Sequence, residues 1–136
     1  ISAKSIRACV TERTKAIVPV GLYGLTPDMD AIREVARDHG LHIVEDAAQR
    51  VNAFYYDRAL GSIGHLGAYS FHETKNYICG EGGARCVNEQ PFVRRAEIIH
   101  DKGTNRQEFF RGDVDKYTWV DLGSSYLPSN MLAAFL

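Results

Sequence analysis

The sequence predicts an α/β protein, a layered domain built on parallel strands. Three features predict it. A strand-helix-strand succession fills Ala16 to Asp46, further short Val-rich or glycine-bounded runs follow, and 45% of the 136 residues are hydrophobic against 24% charged, the mix of a globular chain. That length suits one domain with one core.

The first strand is read at Ala16-Ile-Val-Pro-Val20, a short β-branched run that Pro19 marks as ending. A helix follows. Thr26 is the expected N-cap with Pro27 at the first helical position, and Asp28 and Asp30 suit the positive end of the helix dipole. Met29, Ile32, Val35 and Ala36 share one face at helical spacing, Arg37 and His39 sit in the last turn, and Gly40 supplies a left-handed stop. Leu41-His-Ile-Val-Glu-Asp46 is the second strand, so the unit is a right-handed βαβ crossover. Phe54-Tyr-Tyr56 is a short β segment, with turns at Gly61 and Gly64. Gly67-Ala-Tyr-Ser-Phe71 is a third core strand, and Ala84-Arg-Cys-Val87 is another, entered from the turn Gly80-Glu-Gly-Gly83. Asn88 is expected to cap a helix from Pro91 to His100, buried through Phe92, Ala96 and Ile99. Residues 101–122 lack a clean period and read as a long functional loop. Pro128 to Leu136 begins a final helix.

The bulk numbers exclude several functions. A net charge of -1 gives no electrostatic footprint for nucleic acid or an anionic membrane. No apolar run is long enough to span a bilayer, and no basic-then-apolar leader is present. Cys9, Cys79 and Cys86 form an odd set without a C-x-x-C pair, which argues for small buried side chains in a reducing cytoplasm rather than a disulfide framework or zinc knuckle. His39, His42, His65, His72 and His100 show no paired ligand spacing, and His72-Glu73 lacks the second histidine of a zincin.

In open α/β sheets, ligands bind beyond the carboxyl ends of the strands. Asp46 closes the second strand, Ser70 lies near the end of the third, and Lys75 follows in the loop. Each has an ordinary explanation alone: a cap, a backbone contact, a solvated charge. Together, an acid and a lysine at strand ends can converge on one pocket, and a pyridoxal-phosphate (PLP) enzyme needs that pair. The lysine bonds to the cofactor aldehyde, and the carboxylate holds a proton on the pyridine nitrogen, so that the ring withdraws electrons.

The ordered strings are far more specific. Val44-Glu-Asp-Ala-Ala-Gln49, Gly61-Ser-Ile-Gly64, Ser70-Phe-His-Glu-Thr-Lys-Asn76 and Gly80-Glu-Gly-Gly83 together resemble the DegT/DnrJ/EryC1/StrS aminotransferase family. The resemblance runs through essentially the whole chain. It implies a three-layer α/β/α fold, here part of the large PLP-binding domain of a fold-type I aminotransferase. It implies PLP as cofactor and a nucleotide-linked keto sugar as substrate. Lys75 takes the place of the cofactor-bound lysine and Asp46 that of the pyridine-nitrogen acid. Gln49 falls beside the ring and its phenolic oxygen, Ser70 at the phosphate, and His72 along the pocket. Histidine replaces this lysine in the family's dehydratases, so Lys75 favours transamination.

Loop strings such as Lys102-Gly-Thr-Asn-Arg106, Asp115-Lys-Tyr-Thr-Trp119 and Gly123-Ser-Ser-Tyr126 narrow the resemblance. They match members that aminate C4 of dTDP-linked 4-keto-6-deoxy sugars, with glutamate as donor, for cell-surface polysaccharide. The chain departs from the family at two places. Ser125 stands for an asparagine that reaches the phosphate of the partner subunit in a homodimer, and Gly21 stands for a common histidine. Family members are several hundred residues long, so residues 1–136 are expected to be a partial large domain lacking an N-terminal segment and the C-terminal small domain. Arg106, Arg111 and Lys102 either bind a pyrophosphate or donor carboxylate or form a solvated loop. Trp119 and Tyr117 either pack on sugar or base, or fill a core or dimer contact. The rival to an enzyme is a truncated, non-catalytic interaction module; the rival substrates are other keto sugars or a cyclitol ketone.

Overall fold

A computed structural model describes residues 1–136. They form two compact units, residues 1–88 with 135–136, and residues 89–134. No helix is long and apolar enough to cross a membrane.

The first unit opens with α1 (Ala3–Cys9), which sequence patterning did not mark. It starts on a reciprocal cap in which the Ser2 and Ser5 side chains serve each other's backbone N–H. The first expected strand is shorter than its apolar run: β1 is Ala16–Ile17, and Val20 rejoins the sheet only as an isolated bridge to Asp46. Pro19 between them has no N–H to give the ladder.

Helix α2 (Met29–Asp38) is capped by Asp28 rather than Thr26; Asp28 Oδ1 accepts from the Ala31 N–H at 3.0 Å. Thr26 is engaged elsewhere, its hydroxyl accepting from Arg50. The expected apolar face is the observed one, with Met29, Ile32, Val35 and Ala36 all buried. Each large side chain among them contributes about 1.5–3 kcal/mol on burial. Gly40, at φ 61°, ends the helix as expected.

Strand β2 (His42–Asp46) lies at the centre. It pairs in parallel with β1 on one side and with β5 (Leu66–Ser70) on the other, and β6 (Gly83–Val87) pairs antiparallel with β5, giving the order β1-β2-β5-β6. A small hairpin of β3 (Phe54–Tyr55) and β4 (Arg58–Ala59) stands apart. Ile17, Ile43, Leu60 and Ile63 join the α2 face and Ile6 of α1 in one core cluster. In this unit the helices therefore cover one face of the sheet. The other face carries Val44, Asp46, Ala68 and Ser70, none fully buried.

The second unit holds α3 (Gln90–His100), α4 (Arg106–Arg111) and most of α5 (Asn130–Phe135). Glu89, not Asn88, occupies the N-cap of α3. Asn88 instead donates its amide to Gly61 O and Gly64 O at 3.0 and 2.8 Å, satisfying two loop carbonyls within the first unit. Ala96 and Ile98 are the buried residues of α3; Ile99 is only half-buried. The stretch 101–122 is not all loop, since α4 forms within it and ends on Gly112 at φ 78°. Cys79 is buried and Cys86 half-buried, but Cys9 is exposed at the end of α1, contrary to the expectation for all three.

Candidate functional site

The consecutive carboxylates of β2 face opposite sides of the sheet because strand side chains alternate. Glu45 points to the covered side. It is 0% exposed, and its two oxygens accept from three backbone N–H groups: Gly61 at 2.8 Å, and Ile63 and Gly64 at 2.6 Å each. The Gly61–Gly64 turn is thereby pulled onto the strand. Gly67, which pairs with Glu45, must lack a side chain because a Cβ there would overlap Gly61 O. Sequence reading quoted Glu45 only as part of a string. Its acidity gave no sign of burial, and the Gly-x-x-Gly turn downstream was the available clue.

Asp46 points to the other side. It is half-buried, and Oδ1 accepts from the Ala48 N–H at 3.1 Å. Asp46 pairs with Ala68, and Ser70 lies two residues on, so Asp46 and Ser70 share one face of the sheet at its carboxyl end. The Ser70 oxygen accepts from the His72 N–H at 3.3 Å, which leaves its own hydrogen to donate.

Lys75 is half-buried in the loop that follows β5. The base of this loop is closed by Phe71 N–H to Gly82 O, Cys79 N–H to Phe71 O and Glu73 N–H to Gly80 O, at 2.8, 2.8 and 3.1 Å. The Lys75 N–H bonds to His72 O at 2.9 Å, and the Asn76 side chain donates to Val51 O at 3.0 Å, which ties the loop to the segment after Asp46. His72 is a brace: Nδ1 meets Thr74, and Nε2 lies 3.5 Å from Glu81. Gln49, expected beside a ring, gives its carbonyl oxygen to the Tyr23 N–H at 2.7 Å and keeps its amide hydrogens.

One residue here went unread in the sequence. Arg50 is 1% exposed, and its Nη1 donates to Thr26 at 3.3 Å. Burial pushes its guanidinium below the ordinary arginine range, while the charges of Glu45 and Asp46 pull it back up. On the covered side of the sheet Tyr69 donates to Leu60 O. Burial raises its phenol above the ordinary range, and the neighbouring Cys86 adds to that, so Tyr69 stays a neutral donor.

Asp46, Gln49, Ser70 and Lys75 thus belong to the first unit, at the carboxyl ends of β2 and β5. Ser125 belongs to the second unit, exposed, in an isolated bridge to Asp101. Two of the candidate cations, Arg111 and Arg106, are engaged within that unit. Arg111 places its fork on Glu97 at 2.9 and 3.1 Å and its Nε on Asp113, and Arg106 lies 3.8 Å from Asp101 and over the Phe110 ring. Tyr117 packs on Phe109, and Trp119 is exposed beside a bridge to Thr104.

The donor set suits a flat cofactor with a basic nitrogen, an aldehyde and a phosphate. Asp46 offers a carboxylate, Ser70 a hydroxyl and Lys75 an amine, all at the same end of one sheet.

Comparison with known proteins agrees. The model of the DegT/DnrJ/EryC1/StrS aminotransferase family matches residues 1–136. The spore coat polysaccharide biosynthesis protein SpsC of Bacillus subtilis is 40% identical over 131 residues, 96% of this chain and 34% of that protein. A dTDP-3-amino-3,4,6-trideoxy-alpha-D-glucose transaminase of Streptomyces venezuelae is 42% identical over 132 residues, 96% of this chain and 32% of that protein. The solved aminotransferase of Psychrobacter cryohalolentis superposes with a TM-score of 0.89 at 36% identity, covering 99% of this chain and 35% of that one. The fold is therefore that of these aminotransferases. The chain spans about a third of the length of the curated relatives it matches.

Proposed function

The chain belongs to the DegT/DnrJ/EryC1/StrS aminotransferase family, and from that premise we propose that the protein carrying it is a PLP-dependent sugar aminotransferase. Its substrate in this reading is a dTDP-linked 4-keto-6-deoxy sugar, aminated at C4 with glutamate as donor. The observation that carries it is the shared sheet face of Asp46 and Ser70, with the Lys75 loop stapled at the same end.

Asp46 would hold a proton on the pyridine nitrogen, Ser70 would donate to the phosphate, and the Gln49 amide would lie against the ring. Lys75 would bond to the aldehyde carbon. When bound, PLP would supply an electron sink. The Lys75 amine would act as general base toward the donor's α-carbon proton in one half of the cycle and as general acid toward sugar C4 in the other. In the homodimer that the family resemblance implies, Ser125 would stand where the family's asparagine reaches the neighbouring copy's phosphate, with a hydroxyl to donate but a shorter reach. Residues 1–136 are then the core of the large domain, working in the cytoplasm on soluble nucleotide sugars. Amination at a different carbon is the second reading, favoured by the Streptomyces relative, whose name places the amine at C3.

The test incubates the full-length protein with PLP, glutamate and a panel of nucleotide-linked keto sugars. The expected product is the dTDP-4-amino-4,6-dideoxy sugar. Amination at C3, or of another keto sugar or a cyclitol ketone, would replace the substrate assignment. No amine from any of them would leave the rival of a non-catalytic module.

A further inference from the structure

Arg50 is the charged side chain that the proposed chemistry does not use. Its Nε and Nη2, the forked edge with which a guanidinium grips a carboxylate, are buried without a hydrogen-bond partner. Burying a cation with open donors destabilises a fold, and an apolar side chain of similar volume commonly does better at such a place. Packing alone gives no reason for arginine at this position.

The surroundings supply one. The guanidinium lies where a Cβ of Gly21 would be, so any side chain at residue 21 would displace it. The Gly21 N–H donates to Asp46 O at 3.1 Å. Arg50 bonds Thr26 and Gln49 bonds the Tyr23 N–H, so two consecutive residues after Asp46 clasp the Gly21–Thr26 turn. That turn is held under strain, since Tyr23 sits at φ 52° and is 82% exposed.

We infer that Arg50 is a positioning residue for Asp46: its guanidinium, seated on Gly21 and donating to Thr26, fixes the Gly21–Thr26 turn against the end of β2, where the Gly21 N–H holds the Asp46 carbonyl. The inference rests on the cofactor reading given above. It makes Arg50 a residue retained for the site at the expense of stability, and Gly21 the residue that leaves room for its guanidinium.

The test measures two quantities on the full-length protein: Tm without PLP, and the PLP dissociation constant from visible absorbance. Arg50→Met leaves Tm unchanged or raises it, yet weakens PLP roughly tenfold, the scale of outer-layer partners at metal sites. Arg50→Lys, which keeps the charge, recovers most of that loss. Gly21→Ala also weakens PLP in the Arg50 protein but adds nothing on top of Arg50→Met. A lowered Tm in Arg50→Met, an unchanged PLP affinity, or fully additive Gly21 and Arg50 effects would each overturn the inference. Absence of a PLP spectrum in the unsubstituted protein is a separate result, which overturns the cofactor reading itself and this inference with it.

Discussion

The end of the β2–β5 sheet and the α3–α4 stretch of the second unit both carry many ionisable groups, but they use them differently. In the second unit each named cation meets a carboxylate: Arg94 with Glu108, Arg95 with Asp121, Arg111 with Glu97 and Asp113. At the sheet end, Asp46 accepts one backbone N–H on Oδ1, Ser70 accepts one from His72, and neither is joined to a cation in an ion pair. Polar side chains gathered at the carboxyl ends of parallel strands mark the place where α/β sheets hold a ligand. The pairs of the second unit are solvent-exposed ion pairs, which contribute little. Arg111 and Arg106 both have carboxylate partners within the second unit.

The comparison can be broken at several points. The largest effect belongs to the sheet end. Lys75→Ala should abolish transamination, and Asp46→Asn should lower kcat on the order of a thousandfold, the weight of a lost proton-handling group. Equal activity in either variant would remove the site.

Next comes the covered side of the same strand. Glu45→Ala strands three buried N–H groups. It should destabilise the protein by about 3–5 kcal/mol in denaturant titration, the scale for breaking a buried charged contact. A loss confined to activity would show that the Gly61–Gly64 turn does not depend on Glu45.

A smaller effect lies at the α2 cap. The Ala31 N–H and the Tyr55 hydroxyl hold the Asp28 carboxyl below its ordinary value of 3.8. A depressed acid contributes stability that is fully present above the ordinary value and lost as pH falls through the folded one. The denaturation midpoint should therefore fall in that acid window, and Asp28→Asn should flatten this part of the profile. The smallest effect is that of Arg111→Ala, which should leave both activity and the denaturation midpoint unshifted; a marked loss of activity would revive a role in substrate binding.

What the sequence revealed follows from the range of the forces involved. The α2 face and the β2 and β5 strands were legible because period and β-branching are local signals. Lys75, Asp46, Gln49 and Ser70 stand in the sequence as an ordered string; the structure puts Asp46 and Ser70 on one sheet face with the Lys75 loop at the same end, and their part in holding a cofactor is what the variants above test. The α2 cap was misread by two positions because Thr26 and Asp28 are both competent caps, and only the distant Arg50 diverts Thr26. Asn88 reads as a cap by type, yet its partners lie 24 and 27 residues earlier. Glu45 and Arg50 look like ordinary surface charges in the sequence. Their burial depends on Gly61–Gly64 and on Gly21, contacts that no local pattern encodes.

The proposed function requires Lys75 and Asp46 to serve the same cofactor. Borohydride reduction of the PLP-loaded protein, followed by peptide mapping, puts that requirement to the test. One labelled peptide is expected, carrying the cofactor on Lys75, with labelling much weaker in Asp46→Ala. Label on another lysine, or labelling of Lys75 indifferent to Asp46, would contradict it.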